Sequence, residues 1–199
     1  YYLDETLNII MLDQTDELTG YTVPNFDWIV VSARHADGLW RLRGHHDWLR
    51  NVMYHEFAHV VSLKAEQVLS EEAFGMVVSA GWNDGSIDTN AKASAFFGTG
   101  GPWFWVEGGA EYYTQVAGIN TWTSNRDMRM RMDILEDAAL NFADMADYFG
   151  SNGGFDGNRH YLSGYSFALY LEERFGQGVY QAFALKRDEK GWNMNWLSV

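Results

Sequence analysis

The sequence predicts an α+β fold: a small N-terminal β-sheet packed on a long helix, followed by a helical C-terminal half. Two features of the pattern lead there. Short apolar runs rich in β-branched residues fall between Leu7 and Ser32. From Asp47 onward, apolar residues instead recur at the 3.6-residue spacing of helices. Strands first and helices afterwards is the α+β order. The 199 residues suit a single domain spanning 1–199, and 47% hydrophobic and 16% aromatic content is ample for a packed core. The chain opens on Tyr1 with no initiator methionine. It is therefore expected to be one domain excised from a longer protein, with further domains of that polypeptide as possible partners.

Leu7 to Leu12 reads as the first strand and Asp13 to Gly20 as a polar turn. Pro24 demotes Tyr21 to Phe26 to an edge strand or loop, because proline cannot donate to a sheet ladder. Trp28-Ile29-Val30-Val31-Ser32 is the second clear strand. His35 to His46 is a connection. Its adjacent His45 and His46 would point apart on most backbones and are read as surface residues. Asp47 can cap a helix carrying Trp48, Leu49, Val52, Met53, Val60, Val61, Leu63 and Val68 to about Leu69. Glu71 to Gly101, rich in Gly, Ser, Asn and Ala, is expected to form a flap or cleft wall. Pro102 suits the first turn of the next helix and Gly118 its end. Asn125 or Asp127 can start a helix running through Leu140, with Met128 and Met132 as core filler. Phe142 to Tyr148 reads as a short helix and Ser151 to Asn158 as a loop. Tyr161 to Phe175 is a helix stopped by Gly176, and Val179 to Arg187 is another. A further helix start lies near Asn193.

Charge and composition exclude several partners. A net charge of −13 is wrong for nucleic acid, whose phosphates need clustered Lys and Arg. No run approaches the 18 or more apolar residues of a membrane span. With no cysteine, disulfides and thiolate-held metals are excluded.

Within the first helix lies His55-Glu56-Phe57-Ala58-His59, an HExxH motif. Residues four apart share a helix face, so both imidazoles can point at one cation. Two neutral imidazole nitrogens suit Zn²⁺, and Glu56 beside them can serve as general base toward a water held by the metal. The bland alternative is a pair of core histidines. Burying two imidazoles among Val52, Val60 and Leu63 is costly unless their nitrogens are satisfied, and metal ligation satisfies them.

A site of this kind needs a third protein ligand and an open fourth position. Glu107 and Glu111 are also four apart, on the helix that follows Pro102. Glu107 can ligate the metal while Glu111 accepts the free ring N–H of a ligand histidine, fixing its tautomer. Alternatively both are solvated helix charges, although three neighbouring aromatics and two glycines make a plain surface face a poor description.

HExxH followed by Trp105, Glu107, Gly108, Ala110, Glu111 and Tyr112 resembles the gluzincin metallopeptidases, and most closely the bacterial peptidase-MA-like domains. The aminopeptidase branch of that clan is a more distant likeness. A further matching segment is Tyr161-Leu162-Ser163-Gly164, where the aminopeptidase relatives carry Y-x-K-G with a tyrosine that stabilises the tetrahedral intermediate. The resemblance implies a zincin-like fold and that role for Tyr161. On residue chemistry alone, Tyr165 and His160 compete for it, since a phenol or an imidazolium can each donate to an oxyanion. Ser163 stands in place of the lysine, and no G-x-M-E-N segment precedes the HExxH helix, so aminopeptidase activity does not carry over. The resemblance also implies an extracytoplasmic, periplasmic or secreted, location.

The expectation is a zinc-dependent metallohydrolase, a peptidase acting on peptide or protein substrates. His55, His59 and Glu107 are the metal ligands, Glu56 is the base, Tyr161 the oxyanion donor and Glu111 the orienting carboxylate. The alternative from a different class is a non-catalytic, zinc-stabilised binding domain of a larger protein.

Overall fold

The computed structural model describes residues 6–13, 19–23, 26–34, 47–65, 74–79, 92–97, 103–141, 145 and 157–182. Its elements, in chain order, are β1 (Asn8–Leu12), β2 (Gly20–Val23), β3 (Trp28–Ser32), α1 (Trp48–Ala65), β4 (Phe74–Ser79), β5 (Lys92–Phe97), α2 (Trp103–Val116), α3 (Ser124–Leu135) and α4 (Gly157–Phe175). The architecture is α+β, a small three-stranded sheet with several helices. Among the described residues, no helix is long and apolar enough to cross a membrane.

The sheet has the order β1-β3-β2, with β1 parallel and β2 antiparallel to β3. β2, the segment Pro24 demotes, is an edge strand of this sheet. Ile29, Val31 and Val60 form one buried apolar cluster, and this seats the sheet on α1. Each such side chain contributes ~1.5–3 kcal/mol on burial. The register sets Thr22 opposite Ile29 and Gly20 opposite Val31, so both lie on the face that meets α1. A Cβ at Gly20 would come within 2.5 Å of the Val52 side chain, so only glycine lets β2 approach α1 this closely.

α1 begins as expected: the Asp47 carboxylate accepts from the Arg50 backbone N–H at 3.2 Å. α2, α4 and Tyr180, which follows α4, form a second buried cluster of Phe104, Trp105, Tyr112, Tyr165, Ala168 and Tyr180. Tyr180 stacks on Trp105 at 4.1 Å and donates its hydroxyl to the Trp105 carbonyl at 2.8 Å. α2 and α4 meet backbone to backbone at Gly108 and Gly164. A Cβ on Gly164 would land on the Phe104 carbonyl oxygen, and one on Gly108 would land on the Gly164 backbone. Helix propensity favours Gly164→Ala by ~1 kcal/mol. The clash opposes it by ~1–3 kcal/mol and cannot be relieved by a side-chain rotation. The clash should win, so Gly164→Ala is expected to lower the midpoint of urea unfolding. An unchanged or higher midpoint would show that the two helices can separate freely.

Several expectations are corrected. The stretch from Glu71 to Gly101 carries two strands, β4 and β5, paired antiparallel from Phe74↔Phe97 to Ser79↔Lys92. The order is thus not strands first and helices after. Small residues mask the alternation in Lys92–Phe97, and Gly75 weakens it in Phe74–Ser79. The cap of α3 is Thr123, whose hydroxyl accepts from the Arg126 N–H, and neither Asn125 nor Asp127. α3 ends at Leu135 and not Leu140, because Asp137 takes a left-handed φ of 54°. It buries no residue. Met128 and Met132 are half exposed, so they are not core filler. α4 starts at Gly157, four residues before Tyr161, and so takes in the end of the predicted loop.

Gly118 and Gly176 end α2 and α4 at φ +73° and +105°, where glycine has no Cβ penalty. After α4, residues 179–182 are helical. Pro102, the His45-His46 pair, Val68 and Leu69, Arg187, the helix start near Asn193 and all of Phe142 to Tyr148 except Met145 lie outside the described residues.

Candidate metal centre

Helical spacing on α1 and α2, together with the packing of the two helices, assembles the site. His55 and His59 lie one turn apart on α1, and Glu107 faces them from α2. His55 Nε2 is 3.0 Å from Glu107 Oε2 and 3.1 Å from His59 Nε2, and His59 Nε2 is 3.3 Å from Glu107 Oε2. All three side chains are buried.

The donor set fits zinc. Atoms bound ~2.0–2.1 Å from a tetrahedral ion lie ~3.3–3.4 Å apart, close to the three separations here. Three acceptor atoms pressed together in a buried pocket repel one another unless a proton or a cation lies among them. An Nε2–H can bridge two of the three at these distances, and a divalent cation can serve all three. Burial opposes a charged His55, but the hydrogen bonds and charges of Glu107 and Glu111 outweigh it and hold its pKa well above the ordinary histidine value. Burial would likewise raise Glu107. The charge of His59 and hydrogen bonds to His55 and His59 prevail and keep its carboxyl well below the usual range.

The other expected residues gather around this cluster. Glu111, one turn past Glu107, sets Oε1 3.5 Å from His55 Nδ1. An Nδ1–H aimed at that carboxylate leaves the Nε2 lone pair facing Glu107 and His59. Glu56 is buried beside the pair, with Oε2 2.8 Å from the Thr22 hydroxyl. The Tyr161 ring lies 5.6 Å from the His55 ring, centroid to centroid. Burial, together with the charge and hydrogen bond of Glu107 and the charges of Glu56 and Glu111, raises the Tyr161 pKa far above the ordinary tyrosine value. Its phenol therefore stays protonated, with Glu107 as a hydrogen-bond partner. Tyr165, the competing tyrosine, is fully buried and gives its hydroxyl to Gln115 Oε1 while its ring packs on Trp122. His160 is also buried.

Protein-family models, curated proteins and solved structures give no match to this chain.

Four residues of the site's geometry were not singled out from the sequence. Thr22 and Gly20 approach the HExxH helix from β2: the Thr22 hydroxyl lies 2.9 Å from the Glu56 carbonyl as well as against its carboxylate. Asn120 and Arg126 hold Glu111 from beyond the end of α2. Asn120 Nδ2 donates to Glu111 Oε2, and Arg126 Nη2 donates to the same oxygen at 2.9 Å. Nothing local marks these four, since their partners lie between 9 and 34 residues away. The nearest signal is Gly20-x-Thr22 ahead of Pro24, which reads equally well as turn chemistry.

Proposed function

We propose that this protein is a zinc-dependent metallopeptidase of the gluzincin type, with a zincin-like arrangement of its sheet and helices. One observation carries the reading: the convergence of His55 Nε2, His59 Nε2 and Glu107 Oε2 in a buried cluster, within 4.8 Å of one another. The intervening Glu56 is buried alongside. His55, His59 and Glu107 would hold the ion. A zinc ion held there would supply Lewis acidity, lowering the pKa of a bound water and polarising the carbonyl to be cleaved.

The chain's own residues do the rest. Glu56 takes a proton from the attacking water and hands it to the leaving amine. The Thr22 hydroxyl keeps the Glu56 carboxylate in place. Tyr161 donates a hydrogen bond to the oxyanion as it develops. Glu111 holds the His55 ring in the tautomer that turns Nε2 inward. β2 is an edge of the described sheet and carries Thr22 against Glu56, so its outer rim offers backbone N–H and C=O groups to an extended peptide beside the base.

A mixture of fluorogenic peptides tests the reading. Hydrolysis should disappear on treatment with a chelator and return with added Zn²⁺. If the protein binds zinc and gains thermal stability from it yet cleaves nothing, it is the non-catalytic, zinc-stabilised domain instead. A structural zinc normally fills its fourth position with protein and requires no base, and the buried Glu56 speaks against that outcome.

A further inference from the structure

The two oxygens of Glu111 have separate jobs. Oε1 faces His55 Nδ1 at 3.5 Å, while Oε2 takes Asn120 Nδ2 and, at 2.9 Å, Arg126 Nη2. Arg126 is itself fixed from several sides. Its Nη1 donates to Asn120 Oδ1 at 3.1 Å and to the Thr121 carbonyl at 2.9 Å. The guanidinium carbon sits 4.9 Å from the centroid of the Tyr165 ring, and the side chain is only 14% exposed. A planar guanidinium spread over three acceptors and an aromatic face has one orientation available, which a lysine ammonium could not reproduce. A buried carboxylate with one oxygen anchored in this way cannot rotate about its last torsion, so its other oxygen is held toward His55.

We infer that Arg126 and Asn120 are positioning residues for the metal centre: they clamp Glu111 Oε2 so that Oε1 stays on His55, which couples the start of α3 to zinc affinity. The inference rests on the zinc reading above. α3 buries none of its own residues. An arginine in its first turn that reaches Glu111 therefore joins α3 to the site through polar contacts.

A double-mutant cycle on zinc affinity, read by competition with a chelating dye, tests this. Orienting partners of ligand histidines are worth ~10–100-fold in metal affinity. Arg126→Met should therefore weaken zinc binding about tenfold in the parent and leave it unchanged when Glu111 is already glutamine, because Arg126 acts only through Glu111. A merely structural arginine would lower the unfolding midpoint in both backgrounds and leave the affinity cycle additive. Should Arg126→Met fail to fold, Asn120→Ala removes the other donor to Oε2 without deleting a charge, and the same non-additivity is expected. Two further results overturn the inference. If the parent binds zinc and the single variants bind it equally well, the clamp is wrong and the zinc reading stands. If the parent takes up no zinc in the same assay, both fall together.

Discussion

Glu107→Ala should strip zinc from the protein, whereas Glu111→Ala should only weaken binding, by ~10–100-fold. Glu107 Oε2 lies 3.0 Å from His55 Nε2 and 3.3 Å from His59 Nε2, so its carboxylate supplies a donor atom and a negative charge inside the cluster. Removing it leaves two imidazoles and too few donors for a stable site. Toward the cluster, Glu111 faces the outer nitrogen of His55, so its loss frees the ring without deleting a ligand. His59→Ala should behave like Glu107→Ala. His59 Nδ1 is buried with no hydrogen-bond partner among the described residues, so Nε2, which faces His55 and Glu107, carries the ring's polar role. Metal content by elemental analysis and affinity by dye competition separate the cases. Retention of zinc by Glu107→Ala together with its loss from Glu111→Ala would invert the assignment along α2. If neither variant changed affinity, the third ligand would lie elsewhere.

Glu56→Gln should keep its zinc and lose at least ~10²-fold in kcat, the usual cost of deleting a general base. The amide has the shape of the carboxylate and can still meet the Thr22 hydroxyl, which lies 2.8 Å from Oε2 in the parent. The fold and the metal site should therefore survive, and only proton transfer is lost. Zinc content and single-turnover hydrolysis on the same preparation make the comparison. Peptide cleavage at the parent rate by a zinc-loaded Glu56→Gln would mean that the proton goes elsewhere and that the proposed mechanism is wrong.

Local pattern determined much about this chain by itself. The 3.6-residue period puts His55, Glu56 and His59 on the buried side of α1, and the same period turns Glu107 and Glu111 toward them from α2. Asp47, Gly118 and Gly176 mark helix ends by capping and left-handed chemistry that depends only on nearby residues. Proline marked the edge character of the strand before it. Where two local signals competed, the sequence misled: Thr123 took the cap from Asn125 and Asp127, and Asp137 ended α3 before its apolar period ran out.

Tertiary structure decided whatever depended on separate segments meeting. The distance between the α1 histidines and Glu107 is set by the packing of α2 against α1, and α4 lies close enough to bring Tyr161 to the His55 ring because Gly108 and Gly164 carry no side chains. The choice between Tyr161 and Tyr165 at the site lies in that packing and not in their spacing of four residues. The pairing of β2 with β3 puts Thr22 on Glu56 across 34 residues, and the chain's path beyond α2 brings Arg126 back to Glu111. A motif records which groups one helix face presents. The groups that hold them in position arrive from other elements, and their side chains carry no period that links them to the site.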